Sequence, residues 1–77
     1  MSHEPSVEKQ PPEILGSEQV PHERKLFTLE LKVNRRGRFL TITEDVDGRR
    51  NRILVPAPAF ADFADALKRL LAYAQTL

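Results

Sequence analysis

An antiparallel β-meander of three to four strands followed by one C-terminal amphipathic helix, an α+β arrangement, is what this 77-residue sequence predicts. Three observations predict it. Apolar and polar residues alternate strictly from Phe27 to Asn34; the turn-forming dipeptide Asp47-Gly48 separates two further runs of strand character; and from Phe60 to Ala74 the apolar residues recur at three-and-four spacing. The chain is too short for more than one domain, and at this size a single core barely offsets the entropy of ordering the backbone. Cysteine is absent, which removes disulfides and thiolate metal sites together. Oligomerisation is the remaining route to stability, so a homodimer is expected.

Residues 1–22 are rich in Pro, Glu, Ser and Gln, with isolated apolar residues at Val7, Ile14, Leu15 and Val20, and read as a disordered tail preceding a folded unit over residues 23–77. The first clear strand then places Phe27, Leu29, Leu31 and Val33 on one side and Thr28, Glu30, Lys32 and Asn34 on the other. Arg35-Arg36-Gly37-Arg38 supplies a glycine for a turn, and a second run extends from Phe39 to Val46. Asp47-Gly48 is a favoured dipeptide of two-residue hairpins, and a third strand follows from Arg49 to Val55. Pro56-Ala57-Pro58 opens the helix, whose stripe of Phe60, Phe63, Ala64, Leu67, Leu70, Leu71 and Ala74 is expected to cover the apolar face of the sheet.

Register follows from the turns, since residues opposite each other share a face. Centring the second hairpin on Asp47-Gly48 pairs Ile42 with Ile53, Leu40 with Val55, Thr43 with Arg52 and Asp45 with Arg50. Treating residues 35–38 as the first loop pairs Asn34 with Phe39, Val33 with Leu40, Leu31 with Ile42 and Lys32 with Thr41. Both hairpins then present one apolar and one polar face. Phe39 falls on the polar one, beside Lys32, Asn34, Thr41 and Arg52, with Leu54 on the same face.

The net charge of +1 conceals an asymmetry: residues 1–22 carry four Glu and one Lys, whereas residues 23–77 carry eleven Lys/Arg against seven Asp/Glu. The basic residues concentrate in Lys32, Arg35, Arg36, Arg38, Arg49, Arg50 and Arg52. Arginine offers a planar fork for phosphate and a flat surface for stacking, and an aromatic ring among such cations is a platform for a base. A solvated charged face, with Phe39 covering a turn or a dimer contact, accounts for the same residues more simply.

Catalysis has little support. The two histidines, His3 and His22, and all three serines, Ser2, Ser6 and Ser17, lie in the expected tail, and no nucleophile is partnered with a base. No cofactor, metal or small-molecule site is expected. No apolar run reaches the length of a membrane span and the start lacks a signal-peptide plan, so a cytoplasmic protein is expected, compatible with association with the nucleoid.

The run Lys32-Val33-Asn34-Arg35-Arg36-Gly37-Arg38-Phe39-Leu40 resembles the Lys-x-Asn-x-x-Gly-Arg-Phe-Leu signature of the PUR repeat, the unit of Pur-alpha-like proteins, bacterial single-repeat chains included. The likeness extends to Lys25–Leu31 before it and to Arg49–Pro56 and Phe60–Phe63 after it, covering roughly residues 17–77. This resemblance implies a four-stranded sheet with one helix, intertwined as a homodimer, that binds single-stranded DNA or RNA with a purine-rich preference. Carried over by position, Lys32, Asn34 and Arg36 contact bases and backbone, and Phe39 stacks on or wedges between bases. Arg35, Arg38, Arg50 and Arg52 join the interface by proximity. The resemblance also places a first strand within residues 16–24, where Pro21 and a weak apolar pattern predict one that is short, shifted or absent. Thr41 stands where that family often carries a basic residue.

Two other readings share this surface: a protein-interaction module whose arginine-rich face docks an acidic partner, and a Whirly-type transcription cofactor with a different assembly. Preference for single over double strands separates the nucleic-acid reading from the first.

Overall fold

The computed structural model of the chain describes residues 12–77. Four antiparallel strands, β1 (Glu13–His22), β2 (Lys25–Asn34), β3 (Gly37–Val46) and β4 (Arg49–Pro56), form one sheet in sequential order. A short 3-10 turn at Ala57–Ala59 leads into helix α1 (Phe60–Ala74). The meander followed by one helix is the architecture that the alternation and the three-and-four spacing dictate.

Three features differ from the sequence-based expectation. The first is β1, which forms within residues expected to be a loose tail; the remainder of that tail, with His3, Ser2 and Ser6, lies outside the described residues. The strand occupies the sheet edge, where only one side needs hydrogen-bond partners and a proline such as Pro21 is tolerated. Its register against β2 shifts between Ile14 and Gly16, leaving Leu15 as the extra residue of a β-bulge.

The second is the register of the β2–β3 hairpin. Asn34 pairs with Gly37, Lys32 with Phe39, Leu31 with Leu40 and Leu29 with Ile42, so the loop is Arg35-Arg36 alone and each expected pairing moves by two residues. Gly37 makes the tighter loop feasible: its φ of +127° is open to glycine and strained for other residues. Because side chains alternate with period two, a slip of two leaves every residue on its expected face. The β3–β4 hairpin has the expected pairs, Ile42 with Ile53, Leu40 with Val55, Thr43 with Arg52 and Asp45 with Arg50. Its turn residues Asp47 and Gly48 have φ of +53° and +87°, the signs a type I′ turn requires. At that same end Arg24 donates through Nε and Nη2 to the two carboxylate oxygens of Asp47, joining the β1–β2 turn to the β3–β4 turn.

The third concerns the helix. It does not lie over the sheet: the 3-10 turn packs against β3, and α1 makes no extensive contact with any strand. The described residues measure 61 Å along the longest axis and 17 Å along the shortest. A ten-residue strand spans about 33 Å and a 15-residue helix about 22 Å, so the long axis requires the helix to run on beyond the sheet. Its stripe is therefore uncovered, with Phe63, Leu67, Leu70 and Leu71 all exposed. Among the described residues of one chain only Val55 and Thr41 are buried. An amphipathic stripe shows that a helix needs a partner surface, not that this surface belongs to the same chain.

Candidate nucleic-acid interface

The polar face of the sheet carries, row by row, Lys32 opposite Phe39 and Pro56, Glu30 opposite Thr41 and Leu54, Thr28 opposite Thr43 and Arg52, and Leu26 opposite Asp45 and Arg50. Phe39 is thus a direct cross-strand neighbour of Lys32, closer than its expected pairing with Thr41 would have set that lysine. It is half-buried, and its cross-strand neighbours are Lys32 on one side and Pro56 on the other. Cross-strand neighbours on one face have Cβ atoms about 5 Å apart. The bulge in β1 brings Ile14 opposite Lys32.

Asn34 holds the adjoining turn. Its Oδ1 accepts the backbone N–H of Arg36 at 2.9 Å, an Asx-type closure that fixes where the Arg35-Arg36 loop projects. The spacing of Lys32, Asn34, Arg36, Gly37 and Phe39 thereby acquires a local rationale. The glycine permits the bend, the asparagine pins it, and the lysine and phenylalanine face each other just below.

The other candidates are spread more widely. Arg52 lies four residues along β3 from the Phe39 row, about 13 Å away at strand rise. Arg50 stands one row further and its Nε contacts Asp45 Oδ2 at 3.1 Å. Arg38 pairs with Val33 and so belongs to the opposite face. Arg36, Arg38, Arg49 and Arg52 form no ion pair among the described residues, which leaves their charge uncompensated locally.

Sequence reasoning did not single out Glu30, which shares this face with Lys32. Its Oε1 lies 3.4 Å from Lys32 Nζ, and the two side chains are 25% and 15% exposed, so the lysine is folded back along its own strand and largely covered. Alternation alone had put Glu30 on this face without marking it as different from a solvated residue.

A cleft of about 480 Å³ at the other end of the sheet is lined by His22, Glu23, Arg24, Lys25, Val46 and Asp47. Its cations are already committed, Arg24 to Asp47 and Lys25 to Glu44 at 3.3 Å. Arg36 and Arg38, which form no ion pair among the described residues, lie at the Phe39 end of the sheet. Among the described residues no cluster of His, Asp or Glu could hold a metal ion, and no helix is long and apolar enough to cross a membrane.

The family model for PurA, described as a ssDNA- and RNA-binding protein, matches residues 1–76. Over 51 residues, 66% of the chain, the sequence is 41% identical to "Transcription factor Pur-alpha 1" of Arabidopsis thaliana, of whose length the match covers 17%. With a four-stranded meander, a single C-terminal helix and the Lys-x-Asn-x-x-Gly-Arg-Phe-Leu turn in place, the chain belongs to the PurA family of single-stranded-DNA- and RNA-binding proteins.

Proposed function

We propose that this chain binds single-stranded DNA or RNA, with a preference for purine-rich strands, as a homodimer whose basic, aromatic-bearing sheet face is the contact surface. The observation that carries the reading is Phe39 opposite Lys32 on the polar face of the sheet, beside the Asn34-pinned arginine turn. An aromatic platform contributes about 1–3 kcal/mol per stacked base and tolerates many sequences, while neighbouring cations follow the phosphates. In this reading Phe39 stacks, Lys32 and Arg36 engage the strand, and the amide N–H groups of Asn34 reach a base edge. Arg35 and Arg52 extend the backbone track. Arg50, held by Asp45, and Arg38, on the reverse face, add to the positive field that steers a polyanion inward.

The exposed helix stripe supports the dimer. A single chain buries almost nothing, so a second copy supplies the surface that Phe63, Leu67, Leu70 and Leu71 lack. A dimer doubles the site and lets one strand contact two copies of Phe39.

Fluorescence anisotropy with labelled purine-rich, pyrimidine-rich and duplex oligonucleotides near physiological salt tests the proposal, with light scattering on the same sample. The expected result is a dimer that prefers single-stranded purine-rich sequence. A folded dimer that binds none of the strands overturns it and leaves the face to an acidic protein partner.

A further inference from the structure

The polar face holds one feature that a purely electrostatic grip on a strand does not need. A surface built to attract phosphate has a carboxylate, Glu30, in the row next to its aromatic platform, and this carboxylate occupies the lysine that the strand would use. Directly across from it is Thr41, 2% exposed, whose Oγ1 is shut off from solvent and has no hydrogen-bond partner. An orphaned buried hydroxyl is costly, so native structures keep few of them and those few call for an explanation. Leu54 flanks the threonine on its other side, and Phe39 and Thr43 precede and follow it on the same face.

We infer that Glu30, backed by Thr41, is the base-selecting residue of this interface, and that it recognises a base with adjacent N–H donors on its pairing edge. This rests on the nucleic-acid reading above. The chemistry runs as follows. An ionised carboxylate only accepts hydrogen bonds and offers two oxygens; an ammonium only donates. Lys32 Nζ and Glu30 Oε1, 3.4 Å apart, therefore present a donor followed by acceptors along the strand. The guanine edge presents the complement, the O6 acceptor followed by the N1–H and N2–H₂ donors. Adenine offers one donor beside one acceptor, and so satisfies less of the pair. Unpaired bases splayed on an aromatic ring expose that edge for readout. When the base enters above Phe39, Lys32 Nζ turns from the carboxylate to the O6 acceptor of the base, which frees both Glu30 oxygens for the N1–H and N2–H₂ donors. The Thr41 hydroxyl, lying opposite, then donates to Glu30 and holds it in place, gaining the partner it lacks in the free protein.

The test compares wild type, Glu30→Gln and Thr41→Val on single-stranded oligothymidines carrying guanines, and on the same strands carrying hypoxanthine, which lacks the 2-amino group. Losing a hydrogen bond to a charged acceptor should weaken wild-type binding at least about tenfold. In Glu30→Gln that ratio should fall to within about twofold, while binding to plain oligothymidine is retained and tightens at low salt because a negative charge has left the face. In Thr41→Val the hydroxyl is replaced by a near-isosteric methyl. Its melting temperature should rise, since a buried unsatisfied group is gone, while the discrimination falls. Such opposite changes cannot come from damage to the fold. Discrimination that survives in Glu30→Gln, or is missing in wild type, overturns the inference even though strands still bind; a higher melting temperature with unchanged discrimination overturns the part given to Thr41. Failure of every protein to bind any strand is a different result, and refutes the nucleic-acid reading itself.

Discussion

Leu67→Glu places a charge at the centre of the helix stripe while keeping a residue that favours helix, so its effect falls on association more than on helix formation. Leu67 is 53% exposed in the single chain. Fully burying a leucine contributes about 1.5–3 kcal/mol, so covering the exposed half contributes about 1 kcal/mol per chain. A symmetric dimer loses this twice, about 2 kcal/mol, or roughly thirtyfold in the dissociation constant. Desolvation of the two introduced carboxylates adds to the penalty, which makes thirtyfold a lower bound. Sedimentation equilibrium across protein concentrations reads the shift directly, and circular dichroism on the same samples reads the fold. Because the described residues of the single chain bury only Val55 and Thr41, the variant should also melt at a lower temperature, with a midpoint that depends more steeply on concentration in the micromolar range. An unchanged sedimentation profile and melting curve would show that the stripe faces solvent in the native assembly, and the dimer reasoning would be wrong.

Phe39→Ala should weaken single-strand binding by about 5- to 150-fold, the equivalent of one lost stacking contact, measured by anisotropy per folded dimer; a sharp loss of melting temperature at unchanged affinity would make the ring structural. Gly37→Ala meets no atom within 4 Å, so the expected loss of about 1–3 kcal/mol in urea unfolding comes from the backbone at φ +127° alone. Asn34→Asp keeps the acceptor for the Arg36 N–H and should melt near wild type, whereas Asn34→Ala should lose about 1 kcal/mol. Both should bind strands more weakly; full affinity in Asn34→Asp would confine Asn34 to building the turn. Arg24→Ala removes an exposed pair and should change unfolding stability by no more than about 1 kcal/mol, a value that chemical denaturation can check.

The parts of this fold that the sequence announced are those in which local chemistry has one solution. Asp47-Gly48 admits a two-residue turn with positive φ at both positions, and every pairing of β3 with β4 follows from it. The Arg35–Arg38 segment admits two solutions, a four-residue loop or a two-residue loop ended by glycine, and residue counting does not choose between them. The edge strand β1 was hidden for another reason. It borrows its order from β2, so Pro21, Gly16 and broken alternation do not prevent it, as they would in a central strand. The placement of α1 was hidden because the same stripe serves an intramolecular or an intermolecular partner equally well.

The interface was more legible than the register that led to it, and the reason is parity. An error of two residues in a hairpin changes which residues are opposite but cannot move any side chain to the other face. Phe39, Lys32 and Asn34 therefore stayed together on the polar face under either loop, while the finer question of which cation lies beside the ring depended on the loop chosen. Lys32 replaces Asn34 as the residue directly opposite Phe39, about 5 Å away within the row, while Arg52 lies four residues along, about 13 Å away, under either loop. Glu30 escaped notice for the converse reason: alternation reports which face a residue occupies but not what its side chain touches. Only the 3.4 Å approach to Lys32 and the stranded hydroxyl of Thr41 separate it from the many exposed glutamates that do nothing in particular. Face membership is a property of sequence parity, whereas selectivity depends on side-chain contacts, so residues that choose between bases are the ones a sequence conceals longest.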